Sequence, residues 1–453
     1  MAVPPSDDLA KMQQAEDLLR QGRFTAAERM LRSASTEQEN SPERRYLRGI
    51  ILQRAGRSEE AMDRLLPLAH GDGPLAAEAF FAVAELFYFG GHLERLAEWL
   101  DACPARCVEP RGQLFAARLV AERDPEQGER QLHALHAAQG SSHLARIAGF
   151  DAVSLRDRLG RHREAWELAA SLHESDDFHF AKTRILDHVA RQRELLAKPA
   201  WTWPRFERAE RTAFVVGLPR TGTSLLNQML DRHSQVHAIG EYDGLPEWIE
   251  AAIAKGAWPY RLKYLTETEV HELQASYLTD ARRDVASDAM WTLDKTLLAW
   301  CWIPLVNAVL PNARCLHLVR DPRDTAVSLL LAYFPPGFYD WTARIDSLFE
   351  VIQAEQLLMP QVWQRCDLPA LTIRYEELVT NPEQTARECL GLLGVPMEPQ
   401  VLSPEANPRA ISTLSYAQVR ERIHDRSIGR WQNYEWLFDQ RWHTLAEHAG
   451  HIS

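Results

Sequence analysis

The chain has 453 residues, with 51 Lys and Arg against 63 Asp and Glu, for a net charge of −12. That length holds two or three domains and at least one sizeable core, and the acidic balance argues against bulk nucleic-acid binding. No apolar run has the length needed to cross a bilayer and the first residues lack a signal-peptide core, so a cytoplasmic protein is expected, its six cysteines reduced and without paired metal-ligand spacings.

From about Ser6 to His173 the sequence reads as helix after helix, rich in Ala, Leu, Arg and Glu. Gly22-Arg23-Phe24 overlays Gly56-Arg57-Ser58 at an offset of 34 residues, and further copies begin at Gly91 and Gly160. Between those two, Pro125 to Glu129 is expected to occupy the turn position. The period is that of tetratricopeptide repeats, in which glycine ends the first helix of each pair in a left-handed conformation. Ala26, Ala61 and Ala165 are expected to let paired helices approach closely. The reading is an all-α TPR-like solenoid over residues 1–197, serving either partner recognition or packing. A joining helix over Asp176–Leu196 and the Pro- and Trp-rich stretch Lys198–Pro204 mark the boundary to a second domain, 198–453.

The second domain opens on Phe214-Val215-Val216, a strand signal, followed by Gly217-Leu218-Pro219-Arg220-Thr221-Gly222-Thr223-Ser224 and the helical pattern Leu225, Leu226, Met229, Leu230. Such a strand, loop and helix point backbone N–H groups at one anion. The loop is a P-loop without its lysine, Thr223 standing in that place and Arg220 supplying a cation elsewhere. This favours a nucleotide not hydrolysed in the ATPase manner over a mere strand-to-helix turn. His233 to Glu241 reads as a second strand ending in Gly240-Glu241. If it runs parallel to the first, Glu241 emerges on the loop-bearing edge, where ligands bind in open α/β sheets. Glu241 is then a candidate general base, with His233 and His237 as alternatives and a loop carboxylate that is solvated or merely paired with an arginine as the plain reading.

Met290 to Leu293 reads as the next strand, with Lys295 just beyond it. The segment Arg314–Ser328 reads as a buried strand ending at Arg320, then Asp321 capping a helix that begins at Pro322. Arg320 and Ser328 could grip one phosphate from two sides, the plain reading being an Arg-Asp network that holds the turn. Tyr333–Trp341 is an aromatic loop suited equally to an acceptor pocket or to a packed surface loop, and Leu371–Leu378 is a further strand end passing into a helix, with Tyr375 available to stack on a base or bond a phosphate. The tail from Ser415 to Arg430-Trp431 is unusually cationic and hydroxyl-rich for a core helix.

Taken together, Pro219–Ser224, Glu241, Asp294-Lys295, Arg320 with Ser328, and Arg374-Tyr375-Glu376 make the domain resemble sulfotransferases that use 3′-phosphoadenosine-5′-phosphosulfate (PAPS). With the repeats in front, the chain resembles the bacterial type that fuses tetratricopeptide repeats to a sulfotransferase domain. The resemblance implies an α/β P-loop-like domain with a central parallel sheet. It further implies that Arg220, Thr221, Gly222, Thr223, Ser224 and Leu225 hold the 5′-phosphosulfate, that Arg320 and Ser328 hold the 3′-phosphate, and that Tyr375 contacts the nucleotide. The spacing is most similar to tyrosylprotein sulfotransferases, whose catalytic glutamate falls on Glu241, loop arginine on Arg220 and lysine near Lys295. Their C-terminal serine and basic residue before tryptophan fall on Ser415 and Arg430-Trp431.

Two departures accompany the resemblance: the loop reads Arg-Thr-Gly-Thr-Ser where Arg-Ser-Gly-Thr-Thr is commoner, and Arg430 replaces a lysine. Those enzymes are also membrane-anchored and lack the repeats, so their acceptor is not carried over; a peptide, carbohydrate or small hydroxylated metabolite remains open. The implied mechanism is in-line displacement with Glu241 as base, Arg220, Lys295 and Ser415 stabilising developing charge, and no metal. The competing readings are a P-loop kinase or NTPase, and a non-catalytic repeat scaffold with a nucleotide-binding domain.

Overall fold

The computed structural model describes residues 7–20, 23–32, 41–174, 180, 185–198, 211–242, 244–254, 266–282, 289–297, 299–334, 339–407 and 421–449. Ser415, Gly22, residues 199–204 of the expected linker and 335–338 of the aromatic loop lie outside them. Contacts divide the chain into two compact units, the first reaching Arg161 and the second beginning at His162.

The described elements of the first unit are all helices: α1 (Asp7–Arg20), α2 (Phe24–Arg32), α3 (Pro42–Arg54), α4 (Ser58–Ala69), α5 (Ala76–Phe89), α6 (Leu93–Asp101), α7 (Pro104–Cys107), α8 (Pro110–Arg123), α9 (Pro125–Ala138) and α10 (His143–Arg158). Gly56, Gly91 and Gly160 turn the chain after α3, α5 and α10 with φ of 76°, 68° and 76°, the left-handed geometry expected of a glycine helix end. Two expectations change. The small residue in the first repeat is Ala27, which is fully buried, whereas Ala26 is only half-buried. Pro125 to Glu129 is the first turn of α9; the chain reverses at Asp124, whose carboxylate caps that helix by accepting from Gln127 N at 2.9 Å.

A common register explains both corrections. Ala27, Ala61, Leu96 and Gly128 are each the fourth residue of their helix, and all four are buried. Gly128 marks the tightest of these positions, since a Cβ there would stand 2.4 Å from Ala121 Cα on α8.

The second unit opens with α11 (His162–Glu174), whose fourth residue is the buried Ala165, and α12 (Leu186–Leu196). The composition of these helices resembles the preceding run, but hydrogen bonds tie them into the α/β unit. His173 Nε2 lies 2.9 Å from Leu330 O, His188 Nε2 lies 3.2 Å from Cys301 O, and Gln192 donates to the same carbonyl.

Five strands form one parallel sheet in the order β2-β3-β1-β4-β5: β1 (Thr212–Val216), β2 (Val236–Gly240), β3 (Trp291–Asp294), β4 (Arg314–Val319) and β5 (Ala370–Arg374). Every residue of β1 is buried, as a central parallel strand covered on both faces requires. The connecting helices are α13 (Thr223–Asp231), α14 (Gly244–Ala254), α15 (Glu267–Ala281), α16 (Ile303–Val309), α17 (Pro322–Leu330) and α18 (Ile345–Arg365), followed by α19 (Tyr375–Thr380), α20 (Pro382–Leu393) and α21 (Gln440–Ala449). Leu226, Met229 and Leu230 of α13 and Cys389, Leu390 and Leu393 of α20 pack on Val215, Leu316, Leu318 and Ile373 of the sheet. Each fully buried aliphatic side chain contributes about 1.5–3 kcal/mol.

The register carries the functional consequence. Phe214 pairs with Asp294, Gly240 with Asp294, Val216 with His317, and Val319 with Arg374. All five strands therefore end on one edge, and the residues that follow them (Gly217 onward, Glu241, Lys295, Arg320 and Tyr375) emerge there.

Candidate active site

The loop after β1 is built around two glycines. At Gly217, φ is 144° and a Cβ would meet Leu318 O at 2.4 Å; at Gly222, φ is 98° and a Cβ would meet Tyr375 Cδ2 at 2.7 Å. Arg220 also has a positive φ, 72°, a strained choice for a side-chain-bearing residue. Thr221 Oγ1 donates to Leu218 O at 2.7 Å and closes the loop on itself. Gly222 then caps α13, where the first helical bond runs from Leu226 N to Gly222 O at 3.1 Å. The amides of Thr223, Ser224 and Leu225 stand before that bond, in the turn whose donors a helix leaves for an anion. The Leu225 side chain packs against the core, so its contribution to the edge is its backbone.

Three guanidinium groups converge on this loop. Arg220 Nε donates to Ser328 Oγ at 2.8 Å, joining the β1 loop to α17. Arg320, which is buried, donates to Arg220 O at 3.0 Å and to Ser427 O, and its Cζ lies 4.4 Å from the centroid of the Tyr375 ring. Burial, and then the charges of Arg430 and Arg320, lower the pKa of Arg220 to about 10. A group of like charges held this close is stabilised by an anion. Buried Arg320 Nε has no hydrogen-bond partner among the described residues, a donor left over for such a ligand.

The second half of the site follows β2 and β3. Lys295, 2% exposed, donates from Nζ to Glu241 Oε1 at 2.6 Å and to Ser224 Oγ at 3.3 Å. Its own backbone N donates to Gly240 O at 2.9 Å, which fixes the two strand ends together. Glu241 is exposed, open to an incoming ligand. Tyr339, from the described end of the aromatic loop, has its phenol pKa raised by burial and by the charge of Glu241. Behind Lys295, Asp294 is fully buried and accepts from Tyr277 OH and Thr296 Oγ1, each at 2.6 Å. Burial raises its carboxyl to about 7 in spite of these donors and the adjacent Lys295 charge.

The structure thus brings Arg220, Thr221, Gly222, Thr223, Ser224, Glu241, Lys295, Arg320, Ser328 and Tyr375 to one sheet edge. Arg430 and Trp431 begin a 3-10 turn, Arg430–Leu437; the Trp431 ring lies under Arg323, whose Cζ is 3.7 Å from its centroid. His233 behaves differently from the alternative base read from the sequence. It is buried, with Nε2 2.8 Å from Pro396 O and Nδ1 accepting from Gln235 N at 3.0 Å, so both ring nitrogens serve packing. His237 is internal to β2, paired in register with Thr292. Sequence reasoning missed the Tyr277–Asp294 pair and the bonds that Asp324 makes to the tail.

Residues 213–399 match the model described as the Sulfotransferase family. That stretch is therefore similar to a sulfotransferase-family domain, and it lies on the parallel α/β sheet. Among sulfotransferases the domain resembles the protein-tyrosine sulfotransferases: protein-tyrosine sulfotransferase 1 of Danio rerio is 25% identical over 220 residues, covering 48% of this chain and 61% of the relative. An uncharacterized protein of Aquifex aeolicus (strain VF5) is 27% identical over 238 residues, 50% of this chain and 31% of the relative. The chain thus spans less than two thirds of either. Among solved structures, the sulfotransferase domain from the Synechococcus PCC 7002 olefin synthase is similar at 17% identity with a TM-score of 0.37, covering 56% of this chain and 99% of that one.

Proposed function

We propose that the second unit transfers a sulfuryl group from PAPS to a hydroxyl acceptor, releasing adenosine 3′,5′-bisphosphate. The observation that carries this reading is the common edge on which three arginines and a helix N-terminus meet the Lys295–Glu241 pair. The donor supplies an activated sulfuryl group on a phosphate leaving group. The loop Arg220–Leu225 holds its 5′ end, and Arg320 with Ser328 and Arg430 holds the 3′-phosphate. Tyr375 and Trp431 add aromatic surface beside these cations. Glu241 accepts the proton of the acceptor hydroxyl, and Lys295 and Arg220 hold the negative charge that develops. Ser415 joins them by the resemblance alone.

The names of the relatives make a peptide tyrosine the first acceptor to try, and the helical register of the first unit supports a TPR-like array that binds a peptide or protein partner. The test has two arms. Calorimetry should give binding of adenosine 3′,5′-bisphosphate without comparable binding of ATP, and labelled PAPS should transfer its label to a tyrosine peptide or to a fraction of host extract. Tight ATP binding with no affinity for the bisphosphate would reassign the domain to the kinase and NTPase class.

A further inference from the structure

The first turn of α17 holds the tail segment 427–431 by its backbone. Asp324, 1% exposed and the third residue of that helix, accepts from Trp431 N through Oδ1 and from Gly429 N through Oδ2, each at 2.8 Å. Just after β4 and before the helix cap, Arg320 donates to Ser427 O, and Arg323 stacks on the Trp431 ring. The segment is therefore gripped at Ser427, Gly429 and Trp431, on both sides of Arg430. Gly429 takes a φ of 71°, a left-handed turn that a side chain would strain.

A buried carboxylate so near an anion site needs a reason. It repels a negatively charged ligand, and burial raises its pKa even though the Arg320 charge and the two N–H donors favour its ionised form. Its closest approach to Arg320 is 3.8 Å, and the Arg320 nitrogens that find acceptors bond Arg220 O and Ser427 O instead. Direct pairing with Arg320 is thus not what both its oxygens are used for. Both are used to hold the backbone that presents Arg430.

We infer that Asp324 is a positioning residue, which latches segment 427–431 to α17 and so keeps Arg430 beside Arg220 and Arg320 at the anion site. Product leaves faster when the latch is broken, because the third cation is then no longer held in place. This rests on reading the edge as the donor site.

The test compares wild type with Asp324→Asn, which offers one acceptor and one donor to two N–H groups, and with Gly429→Ala, which strains the same turn without entering the core. Adenosine 3′,5′-bisphosphate is the probe, with affinity read by calorimetry and dissociation by stopped-flow tryptophan fluorescence. Asp324→Asn should weaken binding about tenfold through faster dissociation, and Gly429→Ala should act in the same direction and carry the test where the first variant does not fold. In an Arg430→Ala background the effect of Asp324→Asn should shrink to about twofold or less, a coupling that general destabilisation does not produce. Wild-type affinity in both latch variants, or an undiminished loss without Arg430, overturns the inference alone. A wild-type protein that does not bind the bisphosphate overturns the donor-site reading, and the inference with it.

Discussion

Lys295 Nζ lies 2.6 Å from Glu241 Oε1 and 3.3 Å from Ser224 Oγ, so one buried cation bridges the exposed carboxylate and the helix N-terminus at the anion loop. The pairing ties the position of Glu241 to that of the loop. On the proposed reading, a donor phosphosulfate would compete with Glu241 for the same ammonium group and free the carboxylate to face the acceptor hydroxyl. Glu241→Ala should lower turnover about a thousandfold while leaving bisphosphate affinity within about twofold of wild type. Lys295→Met should impair both turnover and donor affinity. Calorimetry beside a sulfate-transfer assay separates these outcomes, and a Glu241→Ala enzyme of normal turnover would remove Glu241 as the base.

Arg320 links three parts of the edge: it donates to Arg220 O at 3.0 Å and to Ser427 O, and rests on the Tyr375 ring. Arg320→Ala should weaken bisphosphate binding about tenfold to a hundredfold. Arg320→Lys should recover little of this, because a single ammonium cannot reproduce two divergent guanidinium bonds. Equal affinity in Arg320→Ala and wild type would place the 3′-phosphate elsewhere.

Much of this edge was legible because parallel strands covered on both faces read as short apolar runs, and a polar or charged residue at the end of such a run belongs to the loop-bearing edge. Glu241, Lys295, Arg320 and Tyr375 all follow that rule. The bond from Arg220 to Ser328 was not legible as a pair, since it depends on β4 lying beside β1 while β2 and β3 intervene in sequence. The work of Asp324 was hidden for another reason: its partners are amides of Gly429 and Trp431, and a backbone donor leaves no mark on composition. In the helical unit the period was readable but the phase was not. Pro125-Glu126-Gln127-Gly128 carries turn residues, yet Asp124 as cap with Pro125 at the first helical position is a helix start.

The buried Asp294 gives the fold a pH dependence of defined sign. Its carboxyl is raised from 3.8 to about 7, chiefly by burial, so between those values the folded chain binds its proton more tightly than the unfolded chain does. The stability this group confers is complete below the unfolded value and is lost as pH rises towards 7. Asp294→Asn removes the titration and keeps an acceptor for the Tyr277 and Thr296 hydroxyls. Urea denaturation at a series of pH values should show the variant gaining on wild type from pH 5 to pH 8, by on the order of 1–4 kcal/mol. Parallel profiles for the two proteins would mean that Asp294 titrates at its ordinary value despite its burial.

Gly128 tests the packing register of the helical unit. As the fourth residue of α9 it faces Ala121 of α8, and an added Cβ would lie 2.4 Å from both Ala121 Cα and Ala121 Cβ. Neither atom can move without its helix. In an unpacked helix, glycine to alanine is favourable by about 1 kcal/mol, so propensity and packing pull in opposite directions here. Overpacking of a close helix contact costs about 1–3 kcal/mol, and the backbone contact puts Gly128 at the upper end. Gly128→Ala should therefore lower the urea midpoint while leaving bisphosphate affinity at the α/β edge unchanged. The equivalent Ala61 and Ala27 already carry a Cβ at full burial, so Ala61→Gly should cost stability through a cavity and lost helix propensity. If Gly128→Ala instead raised the midpoint, α8 and α9 would have slack at this position, and the shared register would reflect helix phase without a steric demand at its tightest point.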